Sequence, residues 1–186
     1  MGTGLLIFFG AILLLVIVAV SMYNGLVSLR QQATNAWAQI DVQLRRRHDL
    51  IPNLVETVKG YMNFEQETLE KVISARQRAV DAQGMRAQGQ AESALTQAIG
   101  GLFAVAEAYP DLKANQNMLN LQNELSNTEN QISMSRQFYN DSVMEYNTRR
   151  EQFPSSMIAN MFGFKPKELF EIDVPEVREP VKVSFT

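Results

Sequence analysis

The sequence predicts an all-α protein. A single N-terminal transmembrane helix continues into an antiparallel, four-helix-type bundle of long helices, and an irregular C-terminal tail follows. Three observations carry this reading. Residues 5–22, LLIFFGAILLLVIVAVSM, are eighteen positions without a charge, and every charged residue lies at Arg30 or beyond. Past that run, apolar side chains recur every three or four residues, the period of one helical face. The six prolines stand at 52, 110, 154, 166, 175 and 180, which leaves long stretches free to be helical. The expected division is an anchor over residues 1–24, a bundle over 25–154 and a partly apolar tail over 155–186.

The apolar run fixes the solvent. At ~1.5 Å per residue its length is roughly 27 Å, close to the ~30 Å hydrocarbon core of a bilayer. A cleaved signal peptide would carry Lys or Arg before a shorter apolar stretch. Here Met1-Gly2-Thr3-Gly4 has no basic side chain, so a retained anchor is expected. Leu26, Leu29, Ala33, Trp37, Ile40 and Leu44 continue one helical face without a turn cluster, which predicts a single helix from about residue 4 to about residue 49. His48-Asp49-Leu50-Ile51-Pro52 is expected to end it, with Pro52 opening the next helix.

That second helix carries Leu54, Val55, Val58, Tyr61 and Met62 on its first face. It weakens at Gly60 and Asn63 and resumes through Leu69, Val72, Ile73 and Arg76 to about Val80, with a cap expected at Asn63. Residues 82–90, AQGMRAQGQ, read as a turn. The third helix is expected over Ala91–Ala108, with Leu95, Ile99, Leu102, Phe103 and Ala106 inward and Gly100-Gly101 marking a close helix–helix approach. Tyr109-Pro110 breaks it, because the residue before proline avoids the helical region. A fourth helix of about forty residues keeps a heptad-like spacing from Leu112 through Met118, Leu121, Leu125, Thr128, Ile132, Ser135, Tyr139, Val143 and Tyr146 to Phe153. Its length, ~60 Å against ~40 Å for the soluble part of the first helix, leaves an overhang or calls for a partner chain. Residues 165–186 are expected to be irregular or to add onto a neighbouring subunit.

Composition narrows the chemistry. The chain has 186 residues, a net charge of −3 with acidic and basic groups mixed, one histidine and no cysteine. That excludes disulfides, thiol catalysis and zinc–thiolate sites, and it carries no nucleic-acid footprint. A triad or zinc site needs more partners than His48 alone supplies, so His48 is read as a cation near a helix C-terminus. Arg45-Arg46-Arg47 lies roughly 33 Å beyond the anchor along a straight helix, past the ~8–10 Å reach of lipid charge, and is assigned to water and bundle ion pairs. Glu65, Glu67, Glu70 and Asp81 lack calcium-loop spacing, and Gly84 and Gly89 lack a phosphate-loop context. No catalytic, cofactor or metal residue is assigned. Asn123, Asn127, Asn130, Asn140 and Asn147 stand out in a helix, and Asn123, Asn127 and Asn130 are assigned a register-setting role beside the apolar seam.

Several blocks resemble the bacterial LemA family. They are Tyr23-Asn24-Gly25-Leu26-Val27, Ala36-Trp37-Ala38-Gln39-Ile40-Asp41-Val42-Gln43-Leu44 and Arg47-His48-Asp49-Leu50-Ile51-Pro52-Asn53-Leu54-Val55. Tyr109-Pro110-Asp111-Leu112-Lys113-Ala114, Thr128-Glu129-Asn130-Gln131-Ile132, Tyr139-Asn140, Tyr146-Asn147 and Phe162-Gly163-Phe164 fit the same pattern. Phe64 departs from it, where a histidine would be expected. The resemblance implies a membrane-anchored helical bundle, supplies no catalytic residues and includes a magnetosome-formation relative.

The expected function is non-enzymatic: a single-pass membrane protein whose bundle self-associates and organises membrane or membrane-protein assemblies. Trp37, Met157, Ile158, Met161, Phe162 and Phe164 are the expected oligomer or partner contacts, with Met161, Phe162 and Phe164 exposed. The alternative is a docking or regulatory module for another membrane protein, such as a protease or kinase. The partners are therefore the bilayer, through residues 5–22, a second copy of the chain and possible membrane proteins, with no cofactor. Basic residues near the anchor begin only on its C-terminal side, at Arg30, which favours a cytoplasmic bundle.

Overall fold

A computed structural model of the chain describes residues 2–61 and 65–171. The described residues form helices packed as a bundle: α1 (Gly2–Lys59), α2 (Gln66–Asp81), α3 (Met85–Ala106), α4 (Pro110–Lys113), α5 (Gln116–Glu151) and α6 (Ser155–Met161). They fall into two compact units. One contains α1 as far as Ile40 with Met134–Leu169, and the other contains the described residues of Asp41–Ser133 with Phe170 and Glu171.

α1 is one helix of 58 residues, and it does not stop before Pro52. A proline inside a helix lacks the N–H that would bond the carbonyl four residues back, here that of His48. The Arg76 Nε–H of α2 donates to that carbonyl at 2.7 Å instead. A long-range partner thus fills the bond that Pro52 leaves open, and the helix continues ten residues further than its local signals suggest. The expected cap at Asn63 lies outside the described residues. α2 opens at Gln66, and in its first turn Glu67 pairs with Lys71 at 2.7 Å. The hydrogen bond and charge of Lys71 hold the Glu67 carboxyl below the usual carboxylate range.

The turn expected over residues 82–90 is shorter, and α3 begins at Met85 rather than Ala91. Gly84 takes φ 85°, a conformation that suits glycine, and completes the reversal before α3 starts. Gly89 is therefore helical. A Cβ there would collide with the Glu171 carbonyl oxygen and touch the Phe170 ring. The close helix–helix approach expected at Gly100-Gly101 is not made, since a Cβ on either member of that pair would meet open space; the crowded glycine is Gly89, and its neighbour is irregular chain.

The break at Tyr109-Pro110 is present, and Pro110 opens the single turn of α4. Leu112 belongs to that turn and is fully buried. The long helix starts afresh at α5, where the Asn115 Oδ1 accepts the backbone N–H groups of Asn117 at 2.8 Å and Met118 at 3.2 Å. This is an N-cap that satisfies two otherwise unpaired donors. Met118, Leu125, Thr128, Ile132, Tyr139, Val143 and Tyr146 are buried as their spacing predicts. Phe153 is not: it follows the end of α5 and is 82% exposed.

The Asp41–Ser133 unit is cored by Ile51, Leu54 and Val58 of α1, Leu69 and Val72 of α2, Leu95, Ile99 and Leu102 of α3, Leu112, and Met118 and Leu125 of α5. In the other unit Leu26 packs with Tyr146, Ala159 and Phe164, and Trp37 meets the Tyr139 ring edge-on at 5.6 Å between centroids. There the chain after α6 is irregular and is tied down along α5. The Tyr146 hydroxyl donates to the Lys165 carbonyl at 2.8 Å, and the Tyr139 hydroxyl donates to that of Glu168 at 2.8 Å. Asn147 makes a two-way bond with Lys167, its Nδ2 donating to the carbonyl at 2.9 Å and its Oδ1 accepting the N–H at 3.0 Å. An irregular strap next to a helix has no backbone partners of its own, so these side chains supply them.

Burial, reinforced by the nearby Glu168 carboxylate, pushes the Tyr139 phenol up to about 12. Tyr146 moves the same way through burial. An unfolded phenol titrates near ~10, so the neutral form is favoured by folding; this contribution is complete below about pH 10 and is lost as pH rises toward about 12. Urea titrations of the full chain in detergent should therefore show stability falling between about pH 10 and 12, with a shallower fall for Tyr139→Phe. An identical slope in the variant would remove Tyr139 as the cause.

Candidate functional site

Two features of the described residues are available for function. The first is the outer surface of α1. The large apolar side chains from Leu5 to Val20 are all exposed, and no other described helix is long and apolar enough to cross a membrane. Bare apolar surface of this extent is untenable in water and is natural in a bilayer.

The second is a buried charge cluster in the Asp41–Ser133 unit. Arg47 and His48 lie on the inward stripe of α1 that includes Leu44, Ile51 and Leu54, and Glu92 lies on the inward stripe of α3 that includes Leu95, Ile99 and Leu102. Glu92 is 1% exposed, Arg47 3% and His48 7%. One Glu92 oxygen lies 2.8 Å from the His48 Nε2 and accepts from the Gln88 Nε2 at 2.9 Å. The other faces the Arg47 Nη1 at 3.4 Å. Arg47 also reaches Glu129 of α5 at 3.1 Å and donates to the Thr96 hydroxyl at 2.7 Å. Gln88 donates in addition to the Ala79 carbonyl of α2 at 3.0 Å. The cluster thus touches α1, α2, α3 and α5. Both Glu92 oxygens are engaged, which suits a structural cross-link rather than a proton-transfer group waiting for substrate. His48 is consequently a mid-helix, buried partner of Glu92 and does not stand at a helix end. Beside it, a groove of about 280 Å³ runs over Ile99, Gly100, Phe103 and Leu125, with Arg47 and Glu129 at its rim. Gly100 lines that groove, where open space takes the place of a packed neighbour.

The contact residues expected from sequence divide. Met157, Met161 and Phe162 are exposed, at 60%, 74% and 57%. Phe164 is buried, not exposed: its ring lies 5.6 Å from that of Tyr23, and the Arg30 guanidinium stands 5.2 Å above it. Ile158 is partly buried against the Leu26 cluster, and Trp37 is half-buried against Tyr139. Asn123, Asn127 and Asn130 are all on the solvent side of α5. Sequence alone assigns no role to Glu92 or Phe170, and none to Gly89 beyond a turn. For Glu92 the readable signal was a charge at an inward position of an apolar stripe.

A bare apolar stretch of α1 and a helical bundle joined by a buried charge cluster define a membrane-associated helical protein. The chain belongs to the LemA family, whose model matches residues 36–185. It is 27% identical over 164 residues to Protein LemA of Metamycoplasma hominis, covering 84% of this chain and 75% of that one. It is 26% identical over 174 residues to the magnetosome protein MamQ of Magnetospirillum gryphiswaldense, covering 80% of this chain and 64% of the relative. The magnetosome protein MamQ 2 of Paramagnetospirillum magneticum is 23% identical over 175 residues with the same coverage. The chain thus spans slightly under two thirds of the length of the MamQ relatives.

Proposed function

We propose that this chain is a non-enzymatic, single-pass membrane protein with a cytoplasmic bundle, which self-associates and thereby organises membrane or membrane-protein assemblies. The observation that carries this reading is the solvent-facing side of α5. Asn123, Asn127 and Asn130 are exposed on it at spacings of four and three, a coiled-coil-like interval. The same interval extends back to Leu119, which is also exposed. A second copy laid along this stripe would find an apolar position at Leu119 to bury and asparagines to fix its register. Phe164 and Ile158 are already used within the chain, so they are not free to make this contact. The likeness to proteins named for the magnetosome supports a role in membrane assemblies.

Sedimentation of the full chain in detergent tests the proposal. The wild-type protein should form a defined oligomer, and Asn127→Lys with Asn130→Lys should shift it to smaller species while helicity is kept. A monomeric wild type would overturn self-association and favour the docking role. An oligomer unchanged by the substitutions would overturn the α5 seam.

A further inference from the structure

We propose that α6 lies in the membrane–water interface, with Met157, Met161 and Phe162 in contact with lipid. The inference rests on the membrane anchor and is independent of self-association. The Phe162 ring meets the Tyr23 ring edge-on at 4.9 Å between centroids. Tyr23 directly follows the apolar run that ends at Met22. Ile158 and Ala159 pack with Leu26 and Val27, one turn further along α1. These contacts hold α6 beside the last turn of the span and the first turn beyond it, which is the level of the lipid headgroups and upper acyl chains.

Its chemistry fits that level. Residues 152–164 carry no charged side chain. One side of α6 is used inside the fold, through Ser155 and Ala159. The other side presents Met157 and Met161, four residues apart on one helical face, with Phe162 next to them. Aromatic and apolar side chains at a headgroup boundary bury without breaking the hydrogen bonds of the backbone beneath them. The charges flanking this stretch from 149 to 168 are Arg149, Arg150, Lys165 and Lys167 against Glu151 and Glu168, a net positive border suited to anionic headgroups. Tyr23, Phe162 and the adjoining methionines would then form a collar around the exit of α1. That collar would fix the depth of the bundle above the bilayer more firmly than one helix can.

The absence of native cysteine permits a direct test in the full chain. Nitroxide labels at Leu13→Cys, Met157→Cys and Met161→Cys are compared in vesicles of phosphatidylcholine and phosphatidylglycerol. Collision rates with oxygen, which concentrates in lipid, and with a water-soluble nickel chelate report depth. The expected oxygen-to-nickel ratio is highest at Leu13, and at Met157 and Met161 it is several-fold above that of a nitroxide free in buffer. A ratio at Met157 and Met161 equal to that in buffer, with Leu13 still deep, overturns the proposal for α6. Protection from both reagents, relieved on dilution with unlabelled chain or lipid, would mean that a second copy covers the patch and would also overturn it. A water-exposed Leu13 would instead remove the anchor on which the inference stands.

Discussion

Glu92→Ala should lower the stability of the folded chain by about 3–5 kcal/mol, the usual loss when one partner of a buried ion pair is removed. The substitution leaves Arg47 with Glu129 and Thr96 but removes its most buried partner, and it strips the His48 ring and Gln88 of their shared acceptor. The sign follows from desolvation: a guanidinium that is 3% exposed has little water to fall back on. The neighbouring Arg46 provides the control. Its pair with Glu124 is shorter than the Arg47–Glu92 pair, at 2.6 Å against 3.4 Å, but both side chains are about half exposed. Arg46→Ala should therefore cost under about 1 kcal/mol. Thermal unfolding followed by circular dichroism in detergent compares the two. Equal losses would mean that the buried cluster does not lock the bundle.

Phe170→Ala should cost about 3–5 kcal/mol, the range for truncating a fully buried aromatic side chain. Phe170 is completely buried, although it lies in an irregular segment where sequence offers no periodicity to mark it. Its seat exists because Gly89 lets the chain pass directly against α3. Gly89→Ala should consequently displace residues 170–171 and cost about 1–3 kcal/mol by overpacking. The two losses should not add, since both act on one contact. Limited proteolysis provides the second readout: both variants should be cut sooner after residue 165 than the wild type. Resistance equal to that of the wild type would show that Phe170 and Gly89 do not hold this segment.

Much of the helical order was legible because it is local. Leu26, Ala33, Ile40 and Leu44 are buried as their spacing predicts, and so are Ile132, Tyr139, Val143 and Tyr146 on α5. At Pro52, His48 and Gly89 the departures share a cause: a local signal met a distant partner. Pro52 marks a helix boundary unless something satisfies the His48 carbonyl, and that donor, Arg76, is 28 residues away in sequence. His48 resembles a helix-end cation until Glu92, 44 residues away, is placed against it. Glycine in a helix signals a close approach without saying which glycine is used; the packing chose Gly89 over Gly100 and Gly101. Asn147 is indistinguishable in sequence from Asn123, yet it bonds both ways to the Lys167 backbone.

By itself the sequence determined the solvent of each part of the chain. Eighteen uncharged positions suit hydrocarbon, and the three-and-four spacing after them assigns each helix an inner and an outer face. The tertiary structure alone decided what meets across those faces: which carboxylate neutralises Arg47, which glycine admits Phe170, and which apolar residues of the tail turn inward. The physical reason is range. Periodicity and hydropathy are set by residues within a turn or two of one another, whereas ion pairing, close backbone approach and strap binding depend on groups brought together only when the whole chain has folded.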